Sequence, residues 1–544
     1  MAGGFASSTG VRQLMNQTAV LSPDCCESEH SSKNLPLRSE RTEGFFRAHA
    51  ALLAILVVSV ILRVALALAG GQLFIVDEGR YWRATLLGEW LLAGKSLPLF
   101  FEQSADHTGF VFVSAIPSML QHGLHNFWGL PLLETMWIPG VFLSLFSVAC
   151  IAMTYLLALA NGSSKRESVT AALLVACSNS LFYMSRHLVP YYSGLFFILL
   201  GMYLGWKRRD RKRAFLTGIL MGFGFLDYNA LWPVALTALF IHAGNHACSK
   251  KEFFSRLKPA VAGFFAPLAV LEIYCWTIGR NYLGGIKQLY RAEIFFSVRN
   301  GACREGWSMP VEYFWQVEHG ILILWLAAIV LLSFKLISQK TTEQQNRARV
   351  WLAAVTAIYA VLTFASVGLG KFFICGRHIE PMVPFLCLLA ANVLESYRLN
   401  SQKYCAFVGV LLAIVCAQAA INFIPAYALT FPLEFEKKAK AAYRIDRRSD
   451  VLADSDVMQG SPYRNGTHLL LNVSNHFYKQ EHVRPIPPGK TLVHAPHPLQ
   501  YVPYQYLGYP PDERQLLRKA DISMRLIEVN SDDGSPKSLT ASKR

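Results

Sequence analysis

The stretch ALLAILVVSVILRVALALAGGQLFIVDEGRYW, residues 51–82, contains the two features that decide the fold. Its first part is a predominantly apolar run of about 20 residues, the length of a helix that crosses a bilayer. Two adjacent carboxylates, Asp77 and Glu78, follow it, with Tyr81 one helical turn later. The run predicts a membrane-spanning helix. It leaves open whether the carboxylates form a functional site or only the hydrated end of that helix.

The composition extends this prediction to most of the chain. Of the 544 residues, 53% are hydrophobic and only 16% are charged, whereas about a quarter of the residues in a soluble protein are charged. Comparable apolar runs recur as far as residue 424, which predicts an all-α polytopic membrane protein with about eleven transmembrane helices. The predicted spans are 50–70, 134–160, 168–185, 188–206, 214–226, 229–243, 259–278, 317–338, 350–368, 379–396 and 404–424.

Three regions follow from this pattern. Residues 1–49 are polar and predict a disordered cytoplasmic tail, residues 50–424 form the transmembrane domain, and residues 425–544 form an extracytoplasmic soluble domain. In the last region, alternation in HLLLNV and KTLVHA predicts strands, and DERQLLRKAD predicts a helix. The expected fold of this part is a small α/β domain.

The charge distribution orients the chain in the membrane. There are 52 Lys and Arg residues against 36 Asp and Glu, for a net charge of +16, but no basic face interleaved with stacking aromatics indicates a nucleic-acid partner. Cationic loops such as KRRDRKR, residues 207–213, are typical of the cytoplasmic side. They fall there if the N-terminus is cytoplasmic and residues 110–124 lie flat on the surface, which leaves long external loops at 71–133 and 279–316. The C-terminus is then extracytoplasmic, and the ending LTASKR, with no organelle-retention signal, favours a plasma (inner) membrane.

This topology collects ionisable side chains at the outer face, where such groups tend to be functional. A carboxylate there can take a proton from an incoming hydroxyl as general base. Arginine and lysine can hold a phosphate and stabilise it as a leaving group. The candidates are Asp77, Glu78, His107, Arg186, Lys371, Arg377 and His378.

The segment VDEGRYW resembles the Asp-Glu-x-x-Tyr motif of membrane glycosyltransferases of the GT-C fold, in the protein O-mannosyltransferase and lipid A aminoarabinose transferase group. Four further segments are similar to that group in the same order, and the resemblance covers roughly residues 50–425. They are HTGFVFVSAIPSML (107–120), SNSLFYMSRHLVPYYSGLFFILLGMYL (178–204), FLTGILMGFGFLDYNALWPVAL (215–236) and GRHIEPMVPFLCLLAA (376–391).

The resemblance implies roles for individual residues. Asp77 would be the general base, and Glu78 would orient it or bind the acceptor. The implied substrate-binding residues are Tyr81 as a pocket wall, His107, Arg186, Lys371, Arg377 and His378. Each of these residues also has an interpretation without a catalytic or binding role. The carboxylates would be hydrated, Tyr81 would be an interfacial aromatic, the histidines would lie in loops, and the cations would extend to water or lipid phosphates. His-Thr-Gly in place of His-Pro-Pro, and Arg377-His378 in place of Arg-Tyr, indicate a divergent branch.

The function implied is transfer of a hexosyl or pentosyl group from a polyprenyl-phosphate-linked donor to a hydroxyl acceptor on a protein, lipid or glycan. The sequence has no GxGxxG loop that would indicate a nucleotide sugar. No cofactor is certain. A divalent metal is left open, although no HxxxH or HxE spacing accompanies His107. One alternative is a transporter or flippase of lipid-linked sugars or other anions, although the internal repeats typical of transporters are not evident. Another is a non-catalytic assembly component with a receptor-like external domain.

Overall fold

A computed structural model describes residues 40–72, 76–94, 107–207, 210–245, 249–299, 307–338, 343–372, 374–396, 401–418, 431–443, 451–453, 468–472, 489–496 and 523–529. Residues 1–39 of the predicted tail 1–49 and the predicted helix 512–521 lie outside these residues, whereas residues 40–49, predicted to be disordered, form the first part of a helix. The described part is mostly helical and ends in a small sheet.

The helices, numbered in chain order, are α1 (Glu40–Leu68), α2 (Tyr81–Leu92), α3 (Thr108–Trp128), α4 (Trp137–Ala160), α5 (Lys165–Ala176), α6 (Asn179–Tyr183), α7 (Tyr191–Lys207), α8 (Arg211–Asp227), α9 (Trp232–Gly244), α10 (Lys250–Thr277), α11 (Tyr282–Arg299), α12 (Met309–Glu318), α13 (Gly320–Ser338), α14 (Glu343–Thr363), α15 (Gly376–Ile379), α16 (Val383–Ser396), α17 (Ser401–Gln418) and α18 (Pro432–Ala442). Short 3-10 helices lie at Val76–Arg80, Met184–Arg186, Asn229–Leu231 and Glu380–Met382, and a π-helical turn lies at Phe364–Gly368.

The membrane-spanning prediction is confirmed in part. Within the described residues, five helices are long and apolar enough to cross a bilayer, and a sixth span results if the pair Lys165–Ala176 and Asn179–Arg186, bent by 58°, is one span. The five are His49–Leu68, Trp137–Ala160, Lys250–Thr277, Gln345–Gly368 and Gly376–Ser396. The chain is therefore a multi-pass membrane protein. The count of eleven is not confirmed.

Helix length is the physical reason for the difference. The predicted spans 229–243 and 317–338 correspond to the apolar helices Asn229–Gly244 and Gly320–Leu336, each of which has at most 17 residues. At a rise of 1.5 Å per residue, a helix of about 20 residues is needed to cross the hydrocarbon layer. A hydropathy run therefore locates these helices correctly without establishing that each one crosses.

α8 and α10 approach each other closely through glycine. A β-carbon at Gly218 would collide with the carbonyl of Ala260, and one at Gly263 would collide with the carbonyl of Phe215. Small residues allow this close backbone approach between membrane helices. The contact holds the first half of α8 against α10, and Asp227 lies at the other end of α8.

The predicted surface segment 110–124 lies within one continuous helix, α3, which includes Pro117. α3 packs beside α2 and also contacts α8, where Gly109 lies against the backbone of Asp227. α3 is not among the described helices that are apolar enough to span. That it lies flat on the membrane stays a prediction.

The C-terminal region forms a four-stranded sheet, β1 (Val451–Ala453), β2 (His468–Asn472), β3 (Gly489–Pro496) and β4 (Ser523–Val529), in the order β1-β2-β4-β3. β1 and β2 are parallel, and the other two pairings are antiparallel. α18 packs on the sheet through Phe435 and Ala439, which meet Met524 and Leu526. The strands predicted from HLLLNV and KTLVHA are thus present. A separate α/β domain stays a prediction.

Candidate functional site

The 3-10 helix Val76–Arg80 carries the predicted catalytic pair. The side chain of Glu78 is fully buried. Its Oε1 accepts a hydrogen bond from the backbone N–H of Leu188 at 2.7 Å, and its Oε2 lies 3.3 Å from Nδ1 of His187. The side chain of Asp77 lies outside the described atoms. Glu78 is therefore held by a turn far away in sequence, and Asp77 precedes it in the same 3-10 helix.

Arg186 lies in that turn, at the end of the 3-10 helix Met184–Arg186, and is fully buried. Its Nε donates to the carbonyl oxygen of Gly70 at 2.7 Å, and its Nη2 donates to the same oxygen. The side-chain amide of Gln72 donates to the backbone carbonyl of Arg186 at 3.3 Å. Arg186 thus links the turn to the residues that follow α1. Its predicted role in binding phosphate stays a prediction.

The two predicted histidines contact the same buried tyrosine. The rings of His107 and Tyr228 have centroids 5.2 Å apart, and those of Tyr228 and His378 are stacked at 6.3 Å. Phe372 contacts His378 from another side at 5.0 Å. His107 has a left-handed backbone, with φ 53°, where it caps α3. The fold therefore brings together two imidazoles that are distant in sequence, and tyrosine is the element that joins them.

The predicted cations of the late motif lie beside this row. Arg377 is half-buried in α15, whereas Lys371 is exposed just after the π-helical turn. In the same segment, the Sγ of Cys375 lies 3.4 Å from Nδ1 of His378, and both cap the start of α15. Arg377 and Lys371 retain more exposed surface than Arg186, which is fully buried.

Tyr81 begins α2 and points into the protein. Its hydroxyl donates to Oε1 of Gln121 at 2.5 Å, and the Gln121 amide donates to Oγ1 of Thr135 at 3.1 Å. Burial raises the pKa of the Tyr81 hydroxyl well above its usual value. Asp77 lies in the 3-10 helix and Tyr81 in the α-helix that follows, so the two do not share one regular helical face. A pocket-wall role for Tyr81 stays a prediction.

Two buried ionic side chains were not among the predicted site residues. Arg63, inside the first apolar helix, donates from Nε to Oγ of Ser147 at 2.9 Å. Asp227, at the end of α8, accepts from Oγ of Ser193 at 2.5 Å. A charged residue within an apolar run was the signal that could have singled out Arg63. Asp227 was visible only as one of several carboxylates at helix ends.

A further pair of buried carboxylates lies among α6, α12 and the start of α16. Glu318 accepts from Oγ of Ser178 at 2.6 Å and from the backbone N–H of Ser180 at 3.0 Å, so it caps the start of α6. Glu380 accepts from the hydroxyl of Tyr313 at 2.8 Å. No local pattern marks these residues, because their partners come from other helices.

Among the residues that the structure describes, no three His, Cys, Asp or Glu side chains come together as a set that could hold a metal ion. The predicted residues instead form two groups: Glu78 with Arg186, and His107 with His378. They are connected through the chain segment 183–191, whose Tyr191 ring lies 4.8 Å from that of Tyr228.

Residues 138–226 match the family of dolichyl-phosphate-mannose-protein mannosyltransferases. The match runs from α4 to the last turn of α8 and includes Arg186, which binds the carbonyl of Gly70, and His187 and Leu188, which contact Glu78. It confirms the resemblance to membrane glycosyltransferases that was inferred from the sequence. Over this segment the chain is similar to mannosyltransferases of the membrane.

Solved structures of low similarity align with larger parts of the chain. An Archaeoglobus fulgidus oligosaccharyltransferase tethered with an acceptor peptide aligns with a TM-score of 0.41 and 14% identity, over 69% of this chain and 56% of that chain. Archaeal oligosaccharyltransferase AglB from the same organism, in complex with an inhibitory peptide and a dolichol-phosphate, gives 0.40 and 13%, over 70% and 55%. ArnT from Cupriavidus metallidurans bound to undecaprenyl phosphate gives 0.42 and 16%, over 72% and 66%. The chain spans just over half of the length of the archaeal proteins. No curated protein sequence matches it.

Proposed function

We propose that the protein transfers a monosaccharide from a polyprenyl-phosphate-linked donor to a hydroxyl acceptor, with Asp77 as general base. The observation that carries the proposal is the attachment of Glu78 to His187 and Leu188, inside the segment that matches the mannosyltransferase family. The Asp-Glu pair of the first loop and the family segment therefore belong to one site. A carboxylate beside this fixed point is well suited to take the acceptor proton.

The two carboxylates divide the work. Glu78 has both oxygens directed at the turn 186–188, so it is suited to hold the 3-10 helix rather than to exchange protons with a substrate. Asp77 is its immediate neighbour and is the base in this proposal. The acceptor oxygen attacks the anomeric carbon as Asp77 takes its proton, and the bond from that carbon to the phosphate oxygen breaks.

The departing polyprenyl phosphate needs positive charge. Arg377 and Lys371 are proposed to supply it, because they are half-buried and exposed, respectively, whereas the guanidinium of Arg186 is engaged by Gly70. His107 and His378, on either side of Tyr228, are proposed to contact the donor near its sugar. Arginine offers a forked donor set that matches phosphate, and lysine adds a point charge.

The reaction is proposed to occur at the extracytoplasmic face of the plasma (inner) membrane, with a cytoplasmic N-terminus and an extracytoplasmic C-terminus. The cationic stretch 207–213 supports this orientation. Single cysteines introduced at Asp210 and Lys371, in a background without native cysteines, test it. An impermeant maleimide added to intact cells should label Lys371→Cys and not Asp210→Cys, and the reverse pattern would invert the orientation.

The activity is tested with full-length protein in nanodiscs and a panel of polyprenyl-phosphate sugars, by following release of polyprenyl phosphate. Asp77→Asn should abolish release while donor binding survives. Glu89→Gln, an exposed carboxylate on α2, is the matched control and should turn over normally. Donor binding without turnover in the wild type, with cell extract as a source of acceptors, would reject the transferase and favour a transporter. Wild-type turnover in Asp77→Asn would reject the base assignment alone.

A further inference from the structure

The C-terminal segment contacts the turn that holds the carboxylate pair. Phe431 is buried immediately before α18, and its ring centroid lies 4.3 Å from the guanidinium carbon of Arg186. The same ring meets the imidazole of His187, with centroids 6.2 Å apart. The face of an aromatic ring attracts a cation electrostatically, most strongly where water is excluded. Phe431 therefore covers the two residues that connect α1 to Glu78.

Glu434, one turn into α18, reaches the chain directly after α1. Its Oε1 accepts from the backbone N–H of Gly71 at 3.4 Å, and it occupies the space that a β-carbon at Gly70 would need. Gly70 and Gly71 have φ of 93° and 98°, a backbone conformation that favours glycine. A β-carbon at Gly71 would lie 2.5 Å from Nε of Arg186. The two glycines are thus enclosed between a guanidinium and a carboxyl group.

These contacts fix both ends of the segment 70–78. Arg186 holds its beginning through the carbonyl of Gly70, and the next two residues of the same turn hold Glu78 at its end. Phe431 contacts Arg186, and Glu434 contacts Gly71, from the C-terminal segment. Lys437, a turn further along α18, adds a hydrogen bond to the carbonyl of Leu133 at 3.2 Å. α18 is therefore attached to the transmembrane part beside the segment that leads to Asp77 and Glu78.

We propose that Phe431 and Glu434 are positioning residues that clamp the Gly70–Gly71 reversal against Arg186 and so set the 3-10 helix of Asp77 and Glu78. The inference rests on the proposed function for its catalytic consequence, but the clamp itself does not. It makes the C-terminal segment part of the active-site support rather than an independent appendage. Displacement by as little as 1 Å can lower turnover about 100-fold.

Burial raises the pKa of the Glu434 carboxyl, and the nearby charges of Arg186 and Lys437 oppose that shift. Within the described residues, its Oε2 is buried without a hydrogen-bond partner. The acceptor at Oε1, rather than a full negative charge, is therefore the feature that the clamp uses. Glutamine keeps such an acceptor, so Glu434→Gln is the conservative variant and Glu434→Ala the disruptive one.

The experiment uses full-length protein in nanodiscs and combines kinetics with hydrogen exchange. Glu434→Ala and Phe431→Ala should each lower kcat by about 100-fold while the KM for the donor stays near the wild-type value. Amides 71 and 78–81 should exchange about tenfold faster, the effect of losing one hydrogen bond. Glu434→Gln should keep both kcat and the exchange rates of these amides close to the wild-type values. Glu436→Gln, a carboxylate on the same helix, is the control and should change neither.

The outcomes separate the clamp from the activity. Wild-type exchange at 71 and 78–81 in both alanine variants would overturn the clamp, whatever the turnover. Faster exchange with wild-type kcat in the folded fraction would overturn the positioning role. Faster exchange in a protein whose wild type transfers no sugar would support the clamp and reject the proposed function.

Discussion

Replacement of Glu78 tests the central contact of the site. Glu78→Ala removes the acceptor of the buried Leu188 N–H and the carboxylate that faces His187. An orphaned buried donor costs about 1–3 kcal/mol. We therefore expect Glu78→Ala to lower the free energy of unfolding by about 1–3 kcal/mol. Glu78→Gln keeps an acceptor for Leu188 and should cost only about 1 kcal/mol, the difference between a charged and a neutral hydrogen bond.

A double-mutant cycle measures the contact directly. Glu78→Gln and His187→Gln are made singly and together, and unfolding in denaturant is followed by tryptophan fluorescence in a fixed detergent. If the two side chains interact as their 3.3 Å separation indicates, the double variant should deviate from additivity by about 1 kcal/mol or more. Additivity within about 0.5 kcal/mol would refute the pair, and a wild-type midpoint for Glu78→Ala would refute the whole contact.

Three other predictions follow from single contacts. Gly218→Val would drive its side chain into the backbone of α10 and should lower the free energy of unfolding by about 1–3 kcal/mol, whereas Gly123→Ala, with open space around it, should not lower it. Tyr81→Phe leaves the buried Gln121 Oε1 without its donor and should cost about 1–2 kcal/mol by the same measurement, and an unchanged midpoint would contradict the hydrogen bond. Because burial raises the pKa of Glu434 in the folded chain, its stabilising contribution should be complete below the unfolded pKa of about 4.3 and should be lost as pH rises through the raised value. Denaturation midpoints across this range should therefore fall for the wild type relative to Glu434→Gln, and parallel curves would contradict the shift.

The sequence predicted what depends on local pattern. Apolar runs located the helices and alternation located β2 and β3. The site at Asp77 and Glu78, inferred from their position after the first run, stays a prediction. The number of spans was less accessible, since a 17-residue helix and a spanning helix have similar hydropathy. The hydropathy pattern also does not show which backbone groups at a helix end need a hydrogen-bond partner.

Side-chain roles were the hardest to predict because partners are remote in sequence. Glu78 and Leu188 are 110 positions apart, and Gly70 and Arg186 are 116 apart. No spacing rule connects them, so the contact of the Arg186 guanidinium with the Gly70 carbonyl could not be predicted, and the role of Arg186 as a phosphate ligand stays a prediction. The resemblance to a known family, rather than local pattern, supplied the order of these segments along the chain.

The glycine contact between α8 and α10 has a consequence for how this protein tolerates change. Lipid offers no hydrophobic gain for pairing two apolar helices, so close van der Waals contact carries their association. Gly218 and Gly263 are then constrained by volume alone, whereas an exposed apolar neighbour such as Leu216 is constrained only by solubility in lipid. Saturation mutagenesis should divide α8 into a face that admits almost no larger side chain and a face that admits nearly any apolar one.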